Sequence, residues 1–114
     1  KYIRRSASEE LILKTSDGSC RVAVNDIMYV EVKDHFLHYH LRNRCIIARD
    51  TMKETEKRLS AQGFARCNNC YLVNLKYVDR FSTTSVFVNS EELRFSRSKR
   101  TEFLQKLTDY LGGK

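Results

Sequence analysis

The 114-residue chain has no proline and no tryptophan, and only four glycines and two methionines. No low-complexity tract divides it and no internal repeat is visible, so a linker-joined pair of domains and a repeat array are both excluded, and the length suits one compact domain. No apolar run approaches the ~20 residues that a membrane-spanning helix needs. Cysteine is sparse as well. Cys20, Cys45, Cys67 and Cys70 are too unevenly scattered for a disulfide framework, so reduced thiols are expected. Cys67 and Cys70 form a Cys-x-x-Cys pair, but redox use asks for a helix N-terminus behind the pair, and Tyr71-Leu72-Val73-Asn74-Leu75 reads as strand. A zinc site would need a second pair at comparable spacing, which Cys20 and Cys45 do not supply, and His38 and His40, on one strand face, lack a third ligand. Nothing offers a nucleophile, a base and an orienting group in one recognisable order, so no enzyme, no cofactor and no metal is expected.

What the chain does have is positive charge. With 21 Lys and Arg against 14 Asp and Glu, the formal charge is +7, the electrostatic signature of a polyanion partner. A basic surface kept only for solubility is the plainer alternative. Because the chain begins at Lys1 rather than Met, it is expected to be an excised part of a longer protein.

Hydrophobic patterning predicts a mostly-β fold. Glu10 to Thr15 and Cys20 to Val24 read as strands around a Ser16-Asp17-Gly18-Ser19 turn, since Asp-Gly tolerates the positive φ of tight hairpins. Ile27 to Lys33 and Phe36 to Leu41 form a further pair, with Leu37, Tyr39 and Leu41 on one face and Phe36, His38 and His40 on the other. A polar Arg42-Asn43-Arg44 turn precedes a strand beginning Cys45 to Ala48. Thr51 with Glu54 predicts a capping box opening a short helix from about Met52 to Ser60, whose apolar face is Met52, Thr55 and Leu59. After Gly63 strands return, with Tyr77 to Phe81, Ser85 to Val88 and Leu93 to Phe95 set apart by turns. Ser98 is expected to cap a last helix carrying the stripe Phe103, Leu104, Leu107, Tyr110 and Leu111, and Gly112 to Lys114 to trail from it.

Two polar segments interrupt this pattern. Between Phe64 and Asn74, Arg66, Asn68 and Asn69 stand between apolar runs; an Arg fork can pair with guanine O6 and N7 and an Asn amide with adenine N6 and N7, so a short loop from Arg66 to Cys70 suits a DNA major groove. A second basic loop, Arg94 to Arg100, opens a helical pattern whose free backbone amides would welcome phosphate. Lys33-Asp34-His35, between two strands, is a third loop equipped for contact. Asn74 is read as bracing backbone, and Arg94, alternating with Leu93 and Phe95, as an outward charge.

The order Phe-x-Arg-x-x-Asn-x-Tyr-Leu-Val-Asn at 64 to 74, then Leu-Arg-Phe-Ser-Arg-Ser at 93 to 98, then a closing helix, resembles the LytTR DNA-binding domain of bacterial transcription regulators. Asp26 to Glu31 followed by His35 to Leu41, and Thr51 to Leu59, are similar to that family's first core strands and short central helix, so the resemblance covers roughly residues 9 to 111. It implies elongated antiparallel β-sheets with a short central helix and a C-terminal helix, and residues 1–114 forming the C-terminal part of a cytoplasmic regulator with a receiver domain upstream. The implied partner is double-stranded DNA, bound at tandem direct repeats by two copies. Base contacts are then expected from His35, Asn69 and Arg97, with the first and third loops entering neighbouring major grooves, and phosphate or supporting contacts from Lys33, Arg66, Asn68, Ser96, Lys99 and Arg100. The duller readings are a turn residue for His35, a turn cap for Asn69 and a surface cation for Arg97. The chain departs from the family's usual His and Ser at Asn68 and Cys70. The alternative to DNA reading is a non-catalytic basic interaction module binding RNA or an acidic protein.

Overall fold

The computed structural model describes residues 9–112, so of the expected tail only Gly112 falls within the described residues. Three antiparallel sheets organise them. β1 (Glu10–Thr15) and β2 (Gly18–Ala23) make a separate hairpin. β3 (Ile27–Lys33), β4 (Phe36–Leu41), β5 (Cys45–Ala48), β6 (Phe64–Asn68) and β7 (Tyr71–Asn74) form the central sheet in the order β5-β4-β3-β7-β6. β8 (Val78–Phe81), β9 (Ser85–Val88) and β10 (Glu91–Arg94) form a third sheet; helix α1 spans Met52–Leu59 and helix α2 Arg100–Leu111. The body is flattened, 43 × 39 × 24 Å.

The two-residue period of the central strands distributes their side chains to two different cores. Val30, Leu37, Tyr39, Leu72 and Phe64 face a cluster completed by Leu13 and Val22 of the first hairpin and by Met52 and Leu59 of α1. Tyr29, Val73, Ala65 and Cys67 face the opposite way, onto Val86, Val88 and Leu93 of the third sheet and Phe103 and Leu107 of α2. Phe64 and Ala65, adjacent in sequence, thus belong to different cores.

Local chemistry explains most boundaries. In the first hairpin the turn is Ser16-Asp17, and Gly18, at φ 134°, already pairs with Thr15, so glycine is needed at the strand start. Thr51 caps α1 through its Oγ1, which accepts from the Glu54 amide at 3.1 Å. The reciprocal half of the expected capping box is replaced, because the Thr51 amide donates to Asp50 Oδ1 at 2.8 Å. Asn74 is 2% exposed and bonded at both ends of its amide, donating to the Ile27 carbonyl at 2.9 Å and accepting from the Lys76 amide at 3.3 Å, so it braces backbone.

Two further expectations are corrected. The segment from Arg66 is not a loop: Phe64–Asn68 is a strand whose Arg66 pairs with Leu72, with an irregularity between Arg66 and Asn68, and only Asn69 and Cys70 remain in the turn. Ser98 does not cap α2. The cap position is Lys99, without a side-chain bond, and the Ser96 carbonyl instead accepts from the Lys99 and Arg100 amides at 3.2 and 3.1 Å.

Candidate nucleic-acid interface

The antiparallel register places the three polar segments together. Glu31 pairs with Tyr71, and the Val32 amide donates to the Cys70 carbonyl at 2.9 Å, so the β3–β4 and β6–β7 turns leave the same end of the central sheet. Because β3 and β7 are neighbours, the two turn centres lie two strand spacings apart across the sheet, about 10 Å. The third segment joins them through the Ser96 amide, which donates to the Cys67 carbonyl at 3.0 Å.

Lys33, Asp34 and His35 are all exposed. Asp34 and His35 form the two-residue β3–β4 turn and both hold positive φ, 55° and 71°. A hairpin of this length favours that conformation because its twist matches the flanking strands, with Asn, Asp or Gly usual at its first position and Gly at its second. Asp34 fits the first, and His35 takes the second, so the conformation holds the His35 side chain on the exposed tip at some backbone cost.

The β6–β7 turn is held from within. Arg66 is only 14% exposed in its side chain: it meets Glu56 Oε1 of α1 at 2.9 Å, and its other nitrogens donate to the Asn68 and Asn69 carbonyls at 3.3 and 3.0 Å. Asn68 accepts from the Cys70 amide at 2.6 Å and donates to the Arg94 carbonyl at 2.5 Å. Asn69 is exposed, and among the described residues its side-chain amide has no hydrogen-bond partner.

In the third segment Arg97 is exposed, Lys99 half-buried and Arg100 exposed. Arg100 is steadied by donating to the Thr83 carbonyl at 3.1 Å. Arg94, Arg97 and Arg100, with Thr83, Thr84, Phe95 and Ser96, line an open groove of about 410 Å³ that contains no carboxylate among its lining residues. Ser96 Oγ is buried there without a hydrogen-bond partner among the described residues. Guanidinium forks, threonine hydroxyls and the start of a helix are groups that hold phosphate. Sequence reasoning gave no role to Thr83 and Thr84, which come from the β8–β9 turn, and read Arg94 as the start of a basic loop and as an outward charge, without the groove that it shares with Arg97 and Arg100.

The remaining reactive groups lie elsewhere. All four cysteines are free, and burial pushes the Cys67 thiol up to about 12. His40 is spent on Glu31 at 3.0 Å and stacks on Tyr29 at 4.3 Å between ring centres. Among the described residues, no three histidine, cysteine or carboxylate side chains gather to hold a metal, and no helix is long and apolar enough to cross a membrane.

Comparison with known proteins agrees with this architecture. The family model described as the LytTr DNA-binding domain matches residues 17–108. A solved chain from Bacillus cereus, described as the LytTr DNA-binding domain of a methyl-accepting/DNA response regulator, is similar with a TM-score of 0.75 and 24% identity, over 90% of this chain and 98% of that one. No curated protein sequence matches.

Proposed function

Because this chain belongs to the LytTr DNA-binding domain family, we propose that it binds double-stranded DNA sequence-specifically as the output domain of a bacterial transcription regulator of two-component or quorum-sensing type, reading direct repeats in the major groove through loops. The observation that supports this reading most is the gathering of the 33–35, 69–70 and 96–100 segments at one end of the central sheet. Recognition helices are not needed, since α1 and α2 turn their apolar faces to the two cores.

The roles divide by what each side chain has left to offer. Among the described residues the Asn69 amide and the Arg97 guanidinium have no side-chain partner, and His35 carries an exposed ring, so these three read bases. Lys33, Lys99 and Arg100 hold phosphates and fix register. Arg66 and Asn68, already bonded inside the domain, support the Asn69 turn, and Ser96 shapes the backbone from which Arg97 projects. Two copies on a tandem site, in the cytoplasm and behind an upstream receiver domain, complete the reading.

In-vitro selection from a random duplex library, at moderate salt so that phosphate contacts cannot hold every sequence, tests it. Enrichment of paired direct repeats is the expected result. Binding that remains salt-sensitive without any enriched sequence would overturn base reading and favour the basic interaction module, with RNA or an acidic protein as partner.

A further inference from the structure

We infer that Asn68 is a positioning residue that clasps the Asn69 turn to the Arg97 segment, so that the two elements read DNA as one coupled unit. This rests on the base-reading roles proposed for Asn69 and Arg97.

The argument starts from the amide's two ends. Asn68 Oδ1 accepts from the Cys70 amide at 2.6 Å, and Nδ2 donates to the Arg94 carbonyl at 2.5 Å. The amide orientation is fixed by these partners, because an N–H can be met only by the oxygen and a carbonyl only by the nitrogen. One side chain therefore ties the backbone just after Asn69 to the backbone of Arg94, which is 26 residues further along the chain than Asn68. Beside it, the Cys67 carbonyl accepts from the Ser96 amide at 3.0 Å, giving the segment before Arg97 a second anchor on β6. On the other flank the Asn69 carbonyl is held by Arg66, which is itself fixed to Glu56. The Asn69 turn thus has a rigid side toward α1 and a connecting side toward Arg97. Both amide ends are engaged within the domain, which argues for a task in geometry and not in contact with bases.

Asn68→Asp separates the two bonds: the carboxylate keeps an acceptor for the Cys70 amide but sets an oxygen against the Arg94 carbonyl, opening only the clasp. The experiment is a double-mutant cycle of Asn69→Ala and Arg97→Ala, read as affinity for a selected duplex, in the native and Asn68→Asp backgrounds. In the native background the double variant is expected to lose at least threefold less affinity than the product of the single losses. In the Asn68→Asp background the losses should multiply to within twofold. Asn68→Ala repeats the test should Asn68→Asp unfold, and hydrogen exchange at the Ser96 and Lys99 amides of the free domain is expected to accelerate at least tenfold in either variant while that of Leu37 holds. Multiplicative losses in the native background, coupling that survives both substitutions, or unchanged exchange at Ser96 would overturn the clasp with base reading intact. Single variants that cost no affinity would overturn base reading and the clasp with it.

Discussion

Arg66 and Glu56 meet at 2.9 Å across the seam between β6 and α1, with 14% and 35% of their side chains exposed. The same guanidinium holds two carbonyls of the β6–β7 turn. Replacing Arg66 with alanine strands those carbonyls and a half-buried carboxylate, which should cost about 1–3 kcal/mol of stability, near the lower end for broken buried pairs. Urea denaturation measures it, and Arg66→Lys, which keeps the charge but not the fork, should recover less than half of the loss.

Arg97 and its neighbours should separate in their effects on DNA. Arg97→Ala is expected to cost about 1–3 kcal/mol on the preferred sequence and to relax preference at one base position. Lys99→Ala and Arg100→Ala should weaken all duplexes alike and make the salt slope shallower by about one each. Titrations of one preferred and one scrambled duplex at several salt concentrations distinguish the two; uniform weakening by Arg97→Ala would overturn the base-reading role proposed for it.

His35 stands at φ 71° at the tip of its hairpin. Glycine at this position relieves a left-handed conformation that costs L-residues roughly 1–2 kcal/mol, partly offset by the flexibility glycine brings to the unfolded chain. His35→Gly should therefore raise stability by about 0.5 kcal/mol while lowering affinity for the preferred duplex roughly tenfold or more. Opposite movements of the urea midpoint and the dissociation constant are the result to look for; a joint fall would show that His35 serves the fold.

Cys67 is fully buried and its thiol is pushed up to about 12. Above about pH 9 the unfolded thiol releases its proton while the folded one keeps it, so the unfolded chain binds fewer protons and stability falls as pH rises toward 12. This one group contributes at most about 1.4 kcal/mol per pH unit. Cys67→Ala should flatten that fall in denaturation series at pH 8 to about 11. In the native state at neutral pH, iodoacetamide should label exposed Cys45 and Cys70 and leave Cys67 unmodified.

Much of this fold could be read from alternation and turn chemistry. Leu37, Tyr39 and Leu41 were separable from Phe36, His38 and His40 by parity alone, and the buried face of α1 followed from Met52, Thr55 and Leu59. What escaped was set by partners distant in sequence. Asp50 competes for the Thr51 amide, and the Ser96 carbonyl takes the amides that Ser98 was expected to serve. Arg66 looked free for DNA because nothing local reveals that Glu56 faces it. Asn68 was recognisable as a polar group in the right segment, but its tie to Arg94 exists only once β6 and β10 are brought together.

The central sheet also acts as a ruler. Its inter-strand spacing sets the β3–β4 and β6–β7 turns about 10 Å apart across the sheet, close to three base-pair steps of about 3.4 Å along a duplex. On the base-reading roles proposed for His35 and Asn69, the positions they meet are expected to keep a fixed separation in every target. Diversity among sites would then arise from which bases stand at those marks, and not from the interval between them.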